Sequence, residues 1–170
     1  GSAPGNGGGL HMTGAGIVSV TGGDVMSNTA AAEGGGLWNG SGTMSVDGTT
    51  ISNNTASGAA ADQGGGGLFN AGGTLTVNDA TISGNVADGA AGSGGGILND
   101  AGGTVNVTGS TISGNSSNRA GGGIETTTEG ATVNLTDVDL LDNATGSAPG
   151  NGGGLHMTGA GIVSVTGGDV

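Results

Sequence analysis

The sequence has no cysteine, no tyrosine, one tryptophan, one phenylalanine, two prolines and a single Lys or Arg residue, Arg119, among 170 residues. Each shortage removes something. Without cysteine there is neither a disulfide framework nor a thiolate metal site. With one basic side chain, nucleic acid and anionic membrane surfaces are excluded as partners, because phosphate recognition needs clustered cations. No apolar run approaches the roughly 20 residues that span a bilayer, and no leader of the signal-peptide kind is legible, so targeting information is expected outside this piece. Leu, Ile, Val and Phe together make up under a fifth of the chain, and 13 acidic residues set the formal charge at -12. By composition alone, that describes a disordered polymer.

What the chain has instead is glycine, 45 residues of it, and order in its apolar residues. Residues 1 to 25 reappear unchanged as residues 146 to 170, so the repeating unit is 145 residues long. The chain reads as a single solenoid segment: one unit, 1–145, plus the start of the next, 146–170. Since it opens and closes in mid-pattern, it is expected to resume after Val170 with Met-Ser-Asn-Thr, the sequence that follows Val25.

A shorter period lies inside the unit. A glycine triplet followed by Leu or Ile starts at Gly7, Gly34, Gly65, Gly94, Gly121 and Gly152, at spacings of 27, 31, 29, 27 and 31. Each block carries an aliphatic residue and, eight positions later, an asparagine: Val20 and Asn28, Val46 and Asn54, Val77 and Asn85, Val107 and Asn115, Leu135 and Asn143. Length varies only outside that frame, in Gly, Ala, Ser and Asp rich stretches such as residues 57–63, which read as loops.

Stacking the blocks produces four aliphatic columns, headed by Leu10, Val18, Val20 and Val25. The second and third are two residues apart, the period of a strand whose alternate side chains face one interior. Segments such as Thr74 to Val77 are β-branched and bounded by glycine, which favours strand over helix. A block of about three short strands cannot bury its own apolar face, but stacked blocks can. The expected fold is therefore all-β: a right-handed parallel β-helix, or β-solenoid, of 27 to 31 residues per coil, its parallel strands about 4.8 Å apart. Asn28, Asn54, Asn85, Asn115 and Asn143 are expected to stack as an asparagine ladder, with a shorter one at Asn39, Asn70 and Asn99.

The blocks GGGLFNAGGTLTVNDATISGNVA and GGGILNDAGGTVNVTGSTISGNSS resemble the repeats of bacterial secreted and surface right-handed β-helix proteins, including autotransporter-type and polymorphic outer-membrane adhesins. The resemblance runs the length of the chain and implies an extracellular or cell-surface location. That class contains adhesins, passenger stalks and polysaccharide lyases, so it does not by itself fix a function. The first block departs most, with GDVMSN in place of TISGN.

Candidate chemistry is sparse. An enzyme acting on acidic polysaccharide would need a carboxylate groove with Arg or Lys to handle the sugars; one Arg and no Lys argue against catalysis, and no catalytic residue or cofactor site is assigned. Asp139 and Asp169 fall in one outward column across the unit boundary, with Asp137 and Asp142 close in sequence, which makes these four the candidate ligands for Ca²⁺. His11 and its copy His156 have no second His or Cys at ligand spacing. Trp38, Phe69 and Leu98 share an outward column with His11 and Glu125, and either form a candidate stripe for contact with a neighbouring filament, a loop or a surface glycan or lie covered by the chain's own loops. Thr-rich rows such as Thr74 to Thr76 resemble the ice-binding faces of some solenoids, although Asn106 and Asn134 interrupt them. The expected function is a structural extracellular fibre, stalk or adhesive filament whose partners are further copies of the unit end to end. The alternative is an ice- or carbohydrate-binding module; a polysaccharide-processing enzyme stands third.

Overall fold

Glycine opens every coil, and its three positions do different work. The first residue of each triplet sits at positive φ, between 58° and 65° for Gly7, Gly34, Gly65, Gly94, Gly121 and Gly152, a region that side-chain-bearing residues rarely enter. In the first five coils the second and third have no room for a Cβ. At Gly35 it would run into the carbonyl of Gly66 in the next coil and the backbone of Thr55, and at Gly36 it would meet the Gly67 carbonyl and the Asn54 side chain.

In the computed structural model, which describes residues 5–146 and 150–170, this corner leads into four short strands per coil. In the second coil they are Leu37–Asn39, Thr43–Asp47, Thr50–Ser52 and Thr55–Ala56. Residues 1–4 and their near copies 147–149 lie outside the described residues. Every pairing between coils is parallel. The first and second sheets contain six strands, the third and fourth five, and no helix occurs among the described residues. The chain is a parallel β-solenoid of about five turns.

The four aliphatic columns register as the sequence spacing requires. Leu10, Leu37, Leu68, Ile97, Ile124 and Leu155 are successive partners in the first sheet. Met44, Leu75, Val105 and Val133 follow one another in the second, as do Val46, Val77, Val107 and Leu135. Ile51, Ile82, Ile112 and Leu140 do so in the third. All of these second- to fifth-coil residues are buried in one continuous core. Each such side chain contributes about 1.5–3 kcal/mol by leaving water, and none could do so inside a single coil.

Two corners beyond the glycine one also demand left-handed backbone. One column runs Gly22, Gly48, Asp79, Gly109, Asp137 and Gly167; the other runs Ser27, Asn53, Gly84, Gly114 and Asp142, and all of them have positive φ. Their occupants are Gly, Asn, Asp and Ser, short residues that tolerate this conformation or bond locally to it.

The coil has one strand more than the spacing suggested. The fourth is two residues long, and its inward position is filled by Ala30, Ala56, Ala87 and Ser117, all buried. A further inward column, Thr49, Ala80, Ser110 and Val138, lies just before the third strand. Apart from Val138, both columns use small or polar residues, so a reading based on aliphatic periodicity passes over them.

Candidate functional site

The asparagine ladder forms as expected. The Asn54 backbone N–H and Nδ2 both donate to Asn85 Oδ1, at 3.0 and 2.9 Å, and Asn85 repeats this to Asn115 and Asn115 to Asn143. Asn28 begins the series by donating to Asn54 Oδ1. The remaining amide hydrogen reaches back to a core-strand carbonyl, Asn85 to Ile51 and Asn115 to Ile82. Asn54, Asn85 and Asn115 are fully enclosed. Their role is structural, and Asn115 has no free amide for glycan attachment although Asn115-Ser-Ser is an acceptor triplet.

The shorter ladder is present as well. Asn39 Nδ2 donates to Asn70 Oδ1 at 2.7 Å, and Asn70 Nδ2 to Asn99 Oδ1 at 2.8 Å. It stops where its neighbours change: Met12 lies opposite Asn39 and Thr126 opposite Asn99. Asn39 Oδ1 and Thr126 Oγ1 are consequently the buried side-chain polar atoms without a partner among the described residues.

The carboxylates proposed for Ca²⁺ do not converge. Asp139 and Asp169 are adjacent, but the Asp139 carboxylate is engaged by the Asp169 backbone N–H at 3.1 Å. Asp137 and Asp142 occupy left-handed corners on either side of the strand Asp139–Leu141, at φ 51° and 53°. The Asp137 carboxylate lies over the Gly167 turn, in the space a Cβ there would take. Among the described residues, no three His, Asp or Glu side chains are grouped so as to hold a metal ion.

The stripe of Trp38, Phe69 and Leu98 needs a correction. Its register is as expected, His11 to Trp38 to Phe69 to Leu98 to Glu125 to His156. Trp38 and Phe69 stack with centroids 6.0 Å apart and planes 4° from parallel. However, Phe69 and Leu98 are buried, and Trp38 is half-buried. Facing away from the core is not the same as facing water: segments that precede the glycine triplets at Gly34 and Gly121 reach this column. Glu33 accepts a 3.0 Å bond from Trp38 Nε1, and Arg119 bonds to Glu125. A lateral contact surface is not available there.

Glu125, the last member of that column within the unit, is the group that sequence reasoning undervalued. Its side chain is 0% exposed, yet it carries a carboxylate. Oε1 accepts from Arg119 Nη1 at 3.2 Å and from Thr158 Oγ1 at 2.9 Å, while Oε2 lies 2.8 Å from His156 Nδ1. Arg119 also reaches Ser93 Oγ at 3.1 Å and Thr158 Oγ1 at 3.4 Å. Burial raises the Glu125 pKa above its ordinary value, against the opposing pull of the Thr158 hydrogen bond, His156 and Arg119. Burial likewise raises Glu33, opposed by its bond from Trp38 and reinforced by the charges of Asp62 and Asp100. The signal available in the sequence was the solitary Arg119 six residues before the solitary acid of the column.

Outside this column, the outward face of the second sheet carries hydroxyl and amide rows. Thr43, Thr74, Thr104 and Thr132 are in register, and Asn134 donates to Asn106 at 2.9 Å in the neighbouring row.

Comparison of the chain with protein-family models, with curated proteins and with solved structures finds no match.

Proposed function

We propose that this chain is a segment of a structural extracellular rod, in which identical 145-residue units stack coil on coil to form a fibre, stalk or adhesive filament of the kind its repeats resemble. The observation that carries the reading is the seating of the second unit on the first. Leu155–Met157 and Ile162–Thr166, whose sequences copy Leu10–Met12 and Ile17–Thr21, pair in parallel register on the fifth coil as every earlier coil pairs on its neighbour. In the first two sheets the parallel backbone pairing and the aliphatic register are the same at the end of a unit as in its middle, so length can grow with unit number at about 24 Å per five coils. Metal and cofactor chemistry plays no part in this reading.

A test is to label intact source cells with an antibody against residues 57–63, in a surface loop. Label standing off the cell and removed by external protease is expected; label confined to permeabilised cells would overturn the surface assignment. A second reading, binding to ice or to carbohydrate, is favoured by the in-register threonine row from Thr43 to Thr132. It predicts thermal hysteresis or glycan retention that Thr74→Lys and Thr104→Lys abolish without unfolding the chain; the rod reading predicts neither activity.

A further inference from the structure

The five coils of a unit are built to one plan, with the same glycine corner, the same aliphatic columns and the same ladder asparagine. A tandem array of such coils has an ambiguity of order, because any coil offers its neighbour nearly the same core. One column that breaks the uniformity is the outward one in the first sheet, where Trp38, Phe69 and Leu98 give way to Glu125 and then to His156.

That break coincides with the unit boundary. Glu125 belongs to the fifth coil, whereas two of its three partners, His156 and Thr158, belong to the first coil of the next unit. The third, Arg119, is the sole Lys or Arg of the chain, and from the end of the fourth coil it bonds to residues of the third, fifth and sixth coils at once. On the far side of the same boundary coil, His11, the copy of His156, packs on Trp38 with ring centroids 4.3 Å apart. A boundary histidine within an array thus has a carboxylate on one side and an indole on the other. An enclosed carboxylate is costly without partners, and Trp, Phe or Leu in place of His156 would remove one without replacement. Buried polar groups of this sort are best attested as devices that fix register.

We propose that Glu125, held by Arg119, makes the exposed side of the fifth coil a selective seat for the first coil of a following unit, recognised by its His and Thr, and so fixes which coil follows which. The occupant is a second copy of the unit, covalently continuous or separate. The proposal rests on the array reading above and adds the determinant of its order.

The test is a two-by-two exchange at positions 125 and 156 in the full 170-residue chain, read by hydrogen exchange. The reporting peptides cover Leu155–Thr166, with Leu68–Ser113 as internal control. With Glu125 present, His156→Leu is expected to speed exchange of the sixth coil tenfold or more. In the Glu125→Leu background the same substitution is expected to slow it at least threefold, a reversal of preference that a merely supporting contact would not give. The same direction of effect in both backgrounds overturns the proposal. If Glu125→Leu also exposes the control coils, the exchange is repeated with Glu125→Gln; the penalty of His156→Leu should then fall below threefold, and an undiminished penalty overturns the proposal. A sixth coil that exchanges freely in the unaltered chain would overturn the array reading and the proposal together, whereas a protected sixth coil without reversal overturns the proposal alone.

Discussion

The interface between the third and fourth coils and the interface between the fifth and sixth share nearly everything. Both pair in parallel in the first and second sheets, and both set aliphatic residue on aliphatic residue in the interior, Leu75 on Val105 in one and Val133 on Val163 in the other. They differ outside the core. In the first, Phe69 meets Leu98, two buried apolar side chains. In the second, Glu125 meets His156, a buried carboxylate held by Arg119 and Thr158. The backbone and the aliphatic columns therefore specify a solenoid without specifying the order of its coils, whereas the column of Glu125 and His156 and the end of the shorter asparagine ladder at Thr126 distinguish the unit boundary from the unit interior.

Moving the carboxylate should break this comparison most severely. Leu98→Glu places an acid in the apolar interface with no Arg or His supplied for it. It should cost at least about 3 kcal/mol, the scale of an uncompensated buried charge, seen as a large fall in the thermal midpoint. A Leu98→Glu chain as stable as the parent would mean that this column is open to water.

The ladder should come next, because it runs through the unit without regard to what the outer column does. Asn85→Ala takes the Asn85 Oδ1 acceptor from the Asn54 backbone N–H and from Asn54 Nδ2 in the interior, at about 1–3 kcal/mol for each buried group left without a partner. Asn28→Ala should cost less, since the Asn28 side chain makes a single bond to Asn54 and is only part-buried. Denaturant midpoints would rank the two, and equal losses would contradict the ladder account.

A smaller and more diagnostic effect is the dependence on pH. Glu33 and Glu125 both have pKa values raised in the folded chain, chiefly by burial. The folded state therefore binds protons more readily than the unfolded one. The stability these groups contribute is fully present below about pH 4, the ordinary range of a free Glu, and is lost as pH rises through their folded-state values. Partial relief of the self-repulsion of a chain at -12 acts in the same direction. The thermal midpoint should fall between pH 4.5 and pH 8, and Glu125→Gln should flatten part of that fall. A midpoint that climbs over this range would contradict the assignment of both carboxyls.

The smallest effect is expected at Ser57→Asp, an exposed loop position outside every column. It should shift stability by no more than about 0.5 kcal/mol, which calibrates the other four substitutions.

Much of this architecture could be read from spacing. The aliphatic columns and the ladder Asn28 to Asn143 were legible because Leu, Ile, Val and Met, and an asparagine, recur at fixed offsets from one another in every block. The two-residue strands ending at Ala30, Ala56 and Ala87 were not legible, since alanine in an Ala-rich chain carries no contrast. The burial of Phe69, Leu98 and Glu125 could not be decided from the sequence for a different reason. Alternation along a strand reports which side of a sheet a residue faces; it is silent on whether another segment lies over that side. The same gap separated Asp137 and Asp142 from Asp139: closeness in sequence put them together, and left-handed corners turned them apart.

The central claim is that one unit continues into the next without interruption of the solenoid. X-ray scattering from chains of one, two and four units in solution tests it directly. Continuous stacking predicts an unchanged cross-section and a length that increases by about 24 Å with each added unit. A radius of gyration that instead grows roughly as the square root of unit number, as for domains on flexible joints, would contradict it.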